Sequence, residues 1–234
     1  MKRTYSTVIQ TPRAPKRSKR FSKLSIPRSL GFRRNTNGVP AKLTTTLKYC
    51  QHTALNPSVG GVVGHTFAAN GLYDPDITAT GHQPMGYDQI SVLYNRYTVT
   101  AVRMKVSHLQ MNNTTAVPGA FGIIFNDDVN LSAGTAFRTC AEQRNVSKLV
   151  FASNQIYSGS ESVSMSQNIG QYFGHKGSLV GEGDYSARTN TNPARICYLT
   201  LFYGNDLATA GQTEFLIQLE YDVTFTEPVE LAAS

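Results

Sequence analysis

Lysine and arginine crowd one end of this sequence. Residues 1–34 hold eleven of them: Lys2, Arg3, Arg13, Lys16, Arg17, Lys19, Arg20, Lys23, Arg28, Arg33 and Arg34. The same stretch has no aspartate or glutamate, and the first acid in the chain is Asp74. The whole chain carries +7, so subtracting these eleven charges leaves residues 35–234 at −4. Cations at this density displace counterions from a phosphate polymer and bind it without regard to sequence. If all eleven engaged a single strand, log K against log salt would fall with a slope of about −8. Phe21 and Phe32 are interleaved among the arginines and offer faces on which unpaired bases can stack. Within the stretch, Arg13, Lys16, Arg17, Lys19 and Arg20 have the pattern of a nuclear localisation signal, so a nuclear import receptor is a second expected partner of the same residues.

The remaining reactive side chains are scattered. His52, His65, His82, His108 and His175 share no ligand spacing. His82 lies near Asp88 with no serine or cysteine nucleophile motif beside it, so a loop-ordering role is expected for it, not catalysis. Asp74 with Asp76, and Asp127 with Asp128, stand in turns where aspartate serves local hydrogen bonding. No metal and no cofactor is expected. Gly181-Glu182-Gly183-Asp184 lacks the Lys-Ser/Thr of a phosphate cradle. Cys50, Cys140 and Cys197 are odd in number and read as reduced thiols. Asn-X-Ser/Thr triplets, among them those at Asn113, Asn130 and Asn145, read as chance matches. No apolar run reaches the length of a membrane span, so no membrane insertion is expected.

The elements that must carry these residues divide the chain in two. Residues 1–40 contain Pro12, Pro15 and Pro27, few large apolar side chains and mutually repelling charges, which predicts a disordered basic arm. Fully extended, it would reach roughly 130 Å. Residues 41–234 are rich in Val, Ile, Thr, Tyr and Phe, with Gly, Asn, Ser and Pro clusters between apolar runs, the pattern of strands joined by turns. Strands are predicted over 43–52, 62–68, 97–111, 119–125, 146–152, 162–169, 195–203 and 214–225. Helices are predicted over 87–94 and 133–144, and an exposed loop over 170–192. In the 97–111 strand, Val99 is placed with Arg103 on one face and Val102, Met104 and Val106 on the other. The last strand alternates most cleanly, with Phe215, Ile217, Leu219, Tyr221, Val223 and Phe225 on one face. About eight strands with long, uneven loops predict an all-β fold, a single eight-stranded jelly-roll sandwich. An immunoglobulin-like sandwich would be smaller and would carry a Cys…Trp…Cys framework, whereas this chain has no tryptophan.

One block of the body is more specific. Phe67-Ala-Ala-Asn-Gly-Leu-Tyr-Asp-Pro-Asp76, then Gly81-His-Gln-Pro-Met-Gly-Tyr-Asp-Gln89, then Tyr94 and Tyr97-Thr98-Val99 resembles a motif of capsid proteins from circular, Rep-encoding single-stranded DNA viruses (circovirus- and cyclovirus-like), which are similar in turn to satellite-virus coat proteins. The block covers about a fifth of the body, and the basic leader before it matches the same family's layout. The resemblance implies a jelly-roll coat protein in an icosahedral shell of identical subunits, packaging single-stranded DNA, found in the virion and in the host nucleus during assembly. Tyr73, Tyr87, Tyr94 and Tyr97 are amphipathic anchors of the kind enriched at protein interfaces, and are expected at subunit contacts.

The function expected is therefore a self-assembling, non-enzymatic capsid protein whose basic arm holds the genome. Two rivals fit parts of the pattern. One is a non-assembling nuclear nucleic-acid-binding β-sandwich. The other is a ligand-binding or enzymatic jelly roll with a targeting tail, which should show clustered His and Glu on facing strands.

Overall fold

A computed structural model describes residues 38–57, 61–109, 119–128, 131, 135–152, 161–204 and 212–230. The chain divides into two units, Met1–Arg34 and Asn35–Ser234, and every described residue belongs to the second. The eleven basic residues of the expected arm lie outside the described residues.

Strands form where β-branched and aromatic residues alternate with polar ones. β1 (Lys42–Leu55) and β9 (Thr213–Pro228) pair antiparallel along their length, from Lys42 opposite Thr226 to Leu55 opposite Thr213. β3 (Tyr94–Leu109) pairs with the other side of β9, and β6 (Ser162–Asn168) with β3. This gives one sheet in the order β1-β9-β3-β6. The second sheet runs β2 (Val62–Ala68), β8 (Tyr198–Gly204), β4 (Gly119–Asn126), β5 (Val150–Ala152). A three-residue strand, β7 (Ser186–Arg188), adds to β3 beside Arg96–Thr98. Without β7, the pairs β1·β9, β2·β8, β3·β6 and β4·β5 nest as one long hairpin rolled on itself. That is the jelly roll, and the fold is this two-sheet sandwich.

The inner faces meet in one core. Phe215, Ile217, Leu219, Tyr221, Val223 and Phe225 are all buried, as the alternation of β9 predicts. Phe121, Ile123 and Phe125 of β4 and Leu199, Leu201 and Tyr203 of β8 face them. The Tyr221 hydroxyl donates to the Ala68 carbonyl at 3.1 Å, tying the two sheets together. The outer faces differ. In the β2-β8-β4-β5 sheet, Val62, Ile124 and Phe202 are covered by Cys140 and Phe137 of α2 (Phe137–Ala141) and by Val146 and Leu149. Burial on both faces explains the unbroken apolar run of β4. The outer face of the other sheet carries Lys, Thr, Ser, Asp and Glu.

Four expectations are corrected. A bulge between Val99 and Ala101 shifts the register of β3, so Val99 turns inward with Val102, Met104 and Val106 and not outward with Arg103. Among the described residues of the helix expected over 133–144, the helix is the five-residue α2. The strand expected over 146–152 is interrupted because Ser147 bonds Ile123 through its side chain, leaving Val146 as an isolated bridge to Ile124. The stretch 170–192 is not simply an exposed loop. α3 (Ile169–Tyr172) leads into it, β7 lies within it, and Leu179, Tyr185, Ser186 and Ala187 are buried.

Candidate subunit interface

The motif block folds into the connection between β2 and β3, residues 69–93, which also holds α1 (Tyr87–Ser91). Its residues bind the body at many points. The Asn70 side chain is fully buried, donating to the Arg195 carbonyl at 2.9 Å and accepting from the Cys197 N–H at 3.1 Å. Asn192 brackets Asp74, accepting its N–H and donating to its carbonyl, each at 3.4 Å. The Ala68 N–H donates to the Pro75 carbonyl at 2.7 Å, and Met85 N–H to the Lys48 carbonyl at 3.1 Å.

Asp76 is the polar centre of the connection and has no exposed surface. It accepts hydrogen bonds from Thr78 N–H (3.0 Å), the Thr78 hydroxyl (2.8 Å) and Gln51 Nε2 (2.8 Å), and it faces His65 Nε2 at 2.9 Å. Burial alone would raise its pKa. The bonds from Thr78, Gln51 and His65 together outweigh this and hold the carboxyl below the ordinary aspartate value. The Tyr49 hydroxyl donates to Gln51 Oε1, which fixes the amide with its NH₂ toward Asp76. Burial, then the charge of Asp76, pushes the Tyr49 hydroxyl up to about 12. Gly81 passes so close that a Cβ there would stand 2.6 Å from the Tyr49 hydroxyl and 2.7 Å from Asp76 Cβ. His82 stacks on Tyr49 with centroids 4.5 Å apart, and its Nε2 lies 3.0 Å from the Cys50 carbonyl. This is the loop-ordering role expected of His82. Gln83 Nε2 donates to the Tyr73 carbonyl at 3.0 Å, and Gly86 takes a left-handed φ of 85° before α1.

Three of the four tyrosines expected at subunit contacts are core residues of the subunit itself. Tyr87, Tyr94 and Tyr97 are buried against Phe225. Their hydroxyls are used internally, donating to the carbonyls of Thr189 (2.7 Å), Pro40 (2.9 Å) and Thr191 (3.0 Å). A tyrosine can bury its ring and satisfy its hydroxyl within one chain as well as between two, and here it does the former. Tyr73 alone is exposed, at 45%. It belongs to a different set: Tyr73, Ile77, Met85 and Val92 are the exposed large hydrophobics of the β2–β3 connection, and among the described residues only Phe151 of β5 joins them. Met85 is 87% exposed and Val92 68%. Single exposed apolar residues are ordinary; here four fall on one connection that the bonds above hold to the body. Nothing in the spacing of the sequence marks Asn192, Gln51 or Arg195 as the long-range partners that fix it.

No group of three His, Cys, Asp or Glu side chains able to hold a metal ion is present among the described residues. Asp127 accepts a hydrogen bond from the Tyr172 hydroxyl at 3.2 Å. Cys50 is exposed, Cys140 and Cys197 are buried, and all three are free thiols. No described helix is long and apolar enough to cross a membrane.

No protein-family model and no curated protein matches the chain. Among solved structures it is similar to Cocksfoot mottle virus, at 13% identity over 81% of this chain and 97% of that one, with a TM-score of 0.49. It is also similar to the decameric BFDV capsid protein, at 13% identity over 80% and 99%, TM-score 0.43. A third is Desmodium yellow mottle tymovirus, at 10% identity over 82% and 93%, TM-score 0.41.

Proposed function

We propose that the chain is a viral coat protein that self-assembles into an icosahedral shell and packages its genome through the basic residues 1–34. The observation that carries this reading is the pairing of two features in one chain. A jelly roll exposes four large apolar side chains on its well-bonded β2–β3 connection, and a leader of eleven cations and no acids precedes it. The motif block that resembles the capsids of circular single-stranded DNA viruses is the connection itself, which favours single-stranded DNA as the cargo. With sixty copies, the smallest icosahedral shell, the leaders would bring about 660 positive charges to the genome. In this reading Arg13, Lys16, Arg17, Lys19 and Arg20 serve nuclear import before assembly, and the protein occurs in the host nucleus and then in the virion.

The test is to purify the full chain and examine it by size-exclusion chromatography and negative-stain microscopy. Uniform particles whose nucleic acid is digested by DNase, not RNase, are expected after opening. A chain that stays monomeric at high concentration would leave the non-assembling nuclear nucleic-acid-binding reading in its place. Removing residues 1–34 should take away most of the salt dependence of single-stranded DNA binding, a slope of up to about −8. Replacing both Met85 and Val92 with serine should reduce particle yield while the subunit's melting temperature stays within about 2 °C, since both side chains are exposed.

A further inference from the structure

On the open face of the β1-β9-β3-β6 sheet, one rung crosses four strands. Lys42 of β1 stands opposite Thr226 of β9, Thr226 opposite Arg96 of β3, and Arg96 opposite Arg188 of β7. Directly opposed residues of antiparallel strands share a face, so three cations are presented together over roughly 14 Å. Two arginines facing each other across a ladder repel, an arrangement that weakens a sheet unless something neutralises it. The partial answer within the chain is Glu227, whose carboxylate lies 3.3 Å from Arg96 Nε and whose backbone holds a left-handed φ of 57°. Arg188 forms no ion pair among the described residues, and neither does Lys42. Glu227 offsets one charge of three.

Arg96, Arg188 and Glu227 line an open cleft of about 590 Å³ with Asn95, Thr189 and Asn190. Apart from Glu227 these walls present guanidinium groups, amides and a hydroxyl, groups that can all donate hydrogen bonds to an oxyanion. The cleft also sits where the chain enters the sandwich. The Tyr94 hydroxyl donates to the Pro40 carbonyl, and Lys42 follows two residues later.

We infer that Lys42, Arg96 and Arg188 form a phosphate-binding rung on the shell domain, which takes the backbone of a single-stranded polynucleotide beside the start of β1. This rests on the reading of the protein as a genome-packaging coat. It adds that the sandwich, and not only the leader, holds phosphate. Recognition is by charge and bidentate guanidinium contact, without base readout.

The experiment is fluorescence anisotropy of a thirty-nucleotide oligothymidylate with the full-length chain across a range of NaCl concentrations. In the triple variant Lys42→Gln, Arg96→Gln, Arg188→Gln, the slope of log K against log salt should become shallower by about 2, since each lost contact to a single strand removes about 0.7. Arg188→Gln alone should remove about 0.7 and Arg188→Lys should keep most of the slope. Without DNA, Arg188→Gln should melt at the wild-type temperature or above it, because it relieves the opposed arginines. A triple variant with the wild-type slope overturns the rung while leaving the leader's role intact. Lost binding accompanied by a fall of more than about 2 °C in melting temperature without DNA assigns the residues to folding and also overturns it. A wild-type chain whose binding ignores salt overturns both the rung and the packaging role.

Discussion

Two rungs of the same sheet face, six residues apart along β1, handle charge in opposite ways. In the middle of the face, Lys48, Glu220 and Arg103 stand opposite one another on β1, β9 and β3. There Glu220 takes Lys48 at 3.0 Å and Arg103 Nε at 3.0 Å, while Asp222, also on β9, takes the end of the Arg103 guanidinium through two bonds of 2.8 Å. The Thr46 hydroxyl donates to Asp222 at 2.8 Å and completes the network. At the end of the face, the β9 residue is Thr226, and the cations beside it go largely unanswered. The flanking strands contribute lysine and arginine in both places. The residue on the central strand decides whether they are spent on each other's neighbours or left for a ligand.

The comparison can be broken at its base, with the largest effect. Tyr221 lies beneath the middle rung on the inner face of β9, fully buried and bonded to Ala68 at the end of β2. Tyr221→Ala should cost about 3–5 kcal/mol, read as a fall in the denaturant midpoint, because it removes a buried ring and the bond between the two sheets. Next in size are reciprocal exchanges on β9. Thr226→Glu should offset a second of the three charges of the end rung and make the salt slope of oligothymidylate binding shallower by about 1. Glu220→Thr should release Lys48, while Asp222 keeps its two bonds to Arg103, and should make it steeper by about 0.7, at a stability cost below about 1 kcal/mol because the partners are partly exposed.

The smallest effect is on acid stability. Arg103 holds Asp222 below its ordinary pKa, and Lys48 with Arg103 does the same for Glu220. A carboxylate depressed by folding stabilises the folded state above its unfolded pKa, and that contribution is lost as pH falls through the folded value. Melting temperature should therefore drop as pH falls below about 4, and Arg103→Gln should flatten that drop. Equal acid sensitivity in the two proteins would mean that the middle network contributes little.

Much of the fold was legible because local pattern and tertiary demand agreed. β9 alternates through twelve residues, and β2 has no competing pattern, so its bounds are those read from the sequence. Long-range consequences were not legible. The bulge near Thr100 depends on how β3 meets β9, and no local residue announces it. β7 is three residues long and has strand character only because β3 offers it an edge. The tyrosines show the limit most clearly. Their type signals a ring to bury and a hydroxyl to satisfy, but the acceptors for Tyr87 and Tyr97 are carbonyls at Thr189 and Thr191, about a hundred positions away. The end rung was illegible for the same reason, since Arg96 and Arg188 meet only through pairing.

The bond from Met85 to the Lys48 carbonyl, the His82 ring against the Cys50 carbonyl, and the bond from Ala68 to Pro75 also have a consequence for how copies can join. They occupy backbone groups that β1 and β2 would otherwise offer along their outer margins. A strand from a second molecule finds no free ladder there to extend, so runaway fibre growth is blocked at those positions. At those positions a second molecule would have to be met by side chains instead.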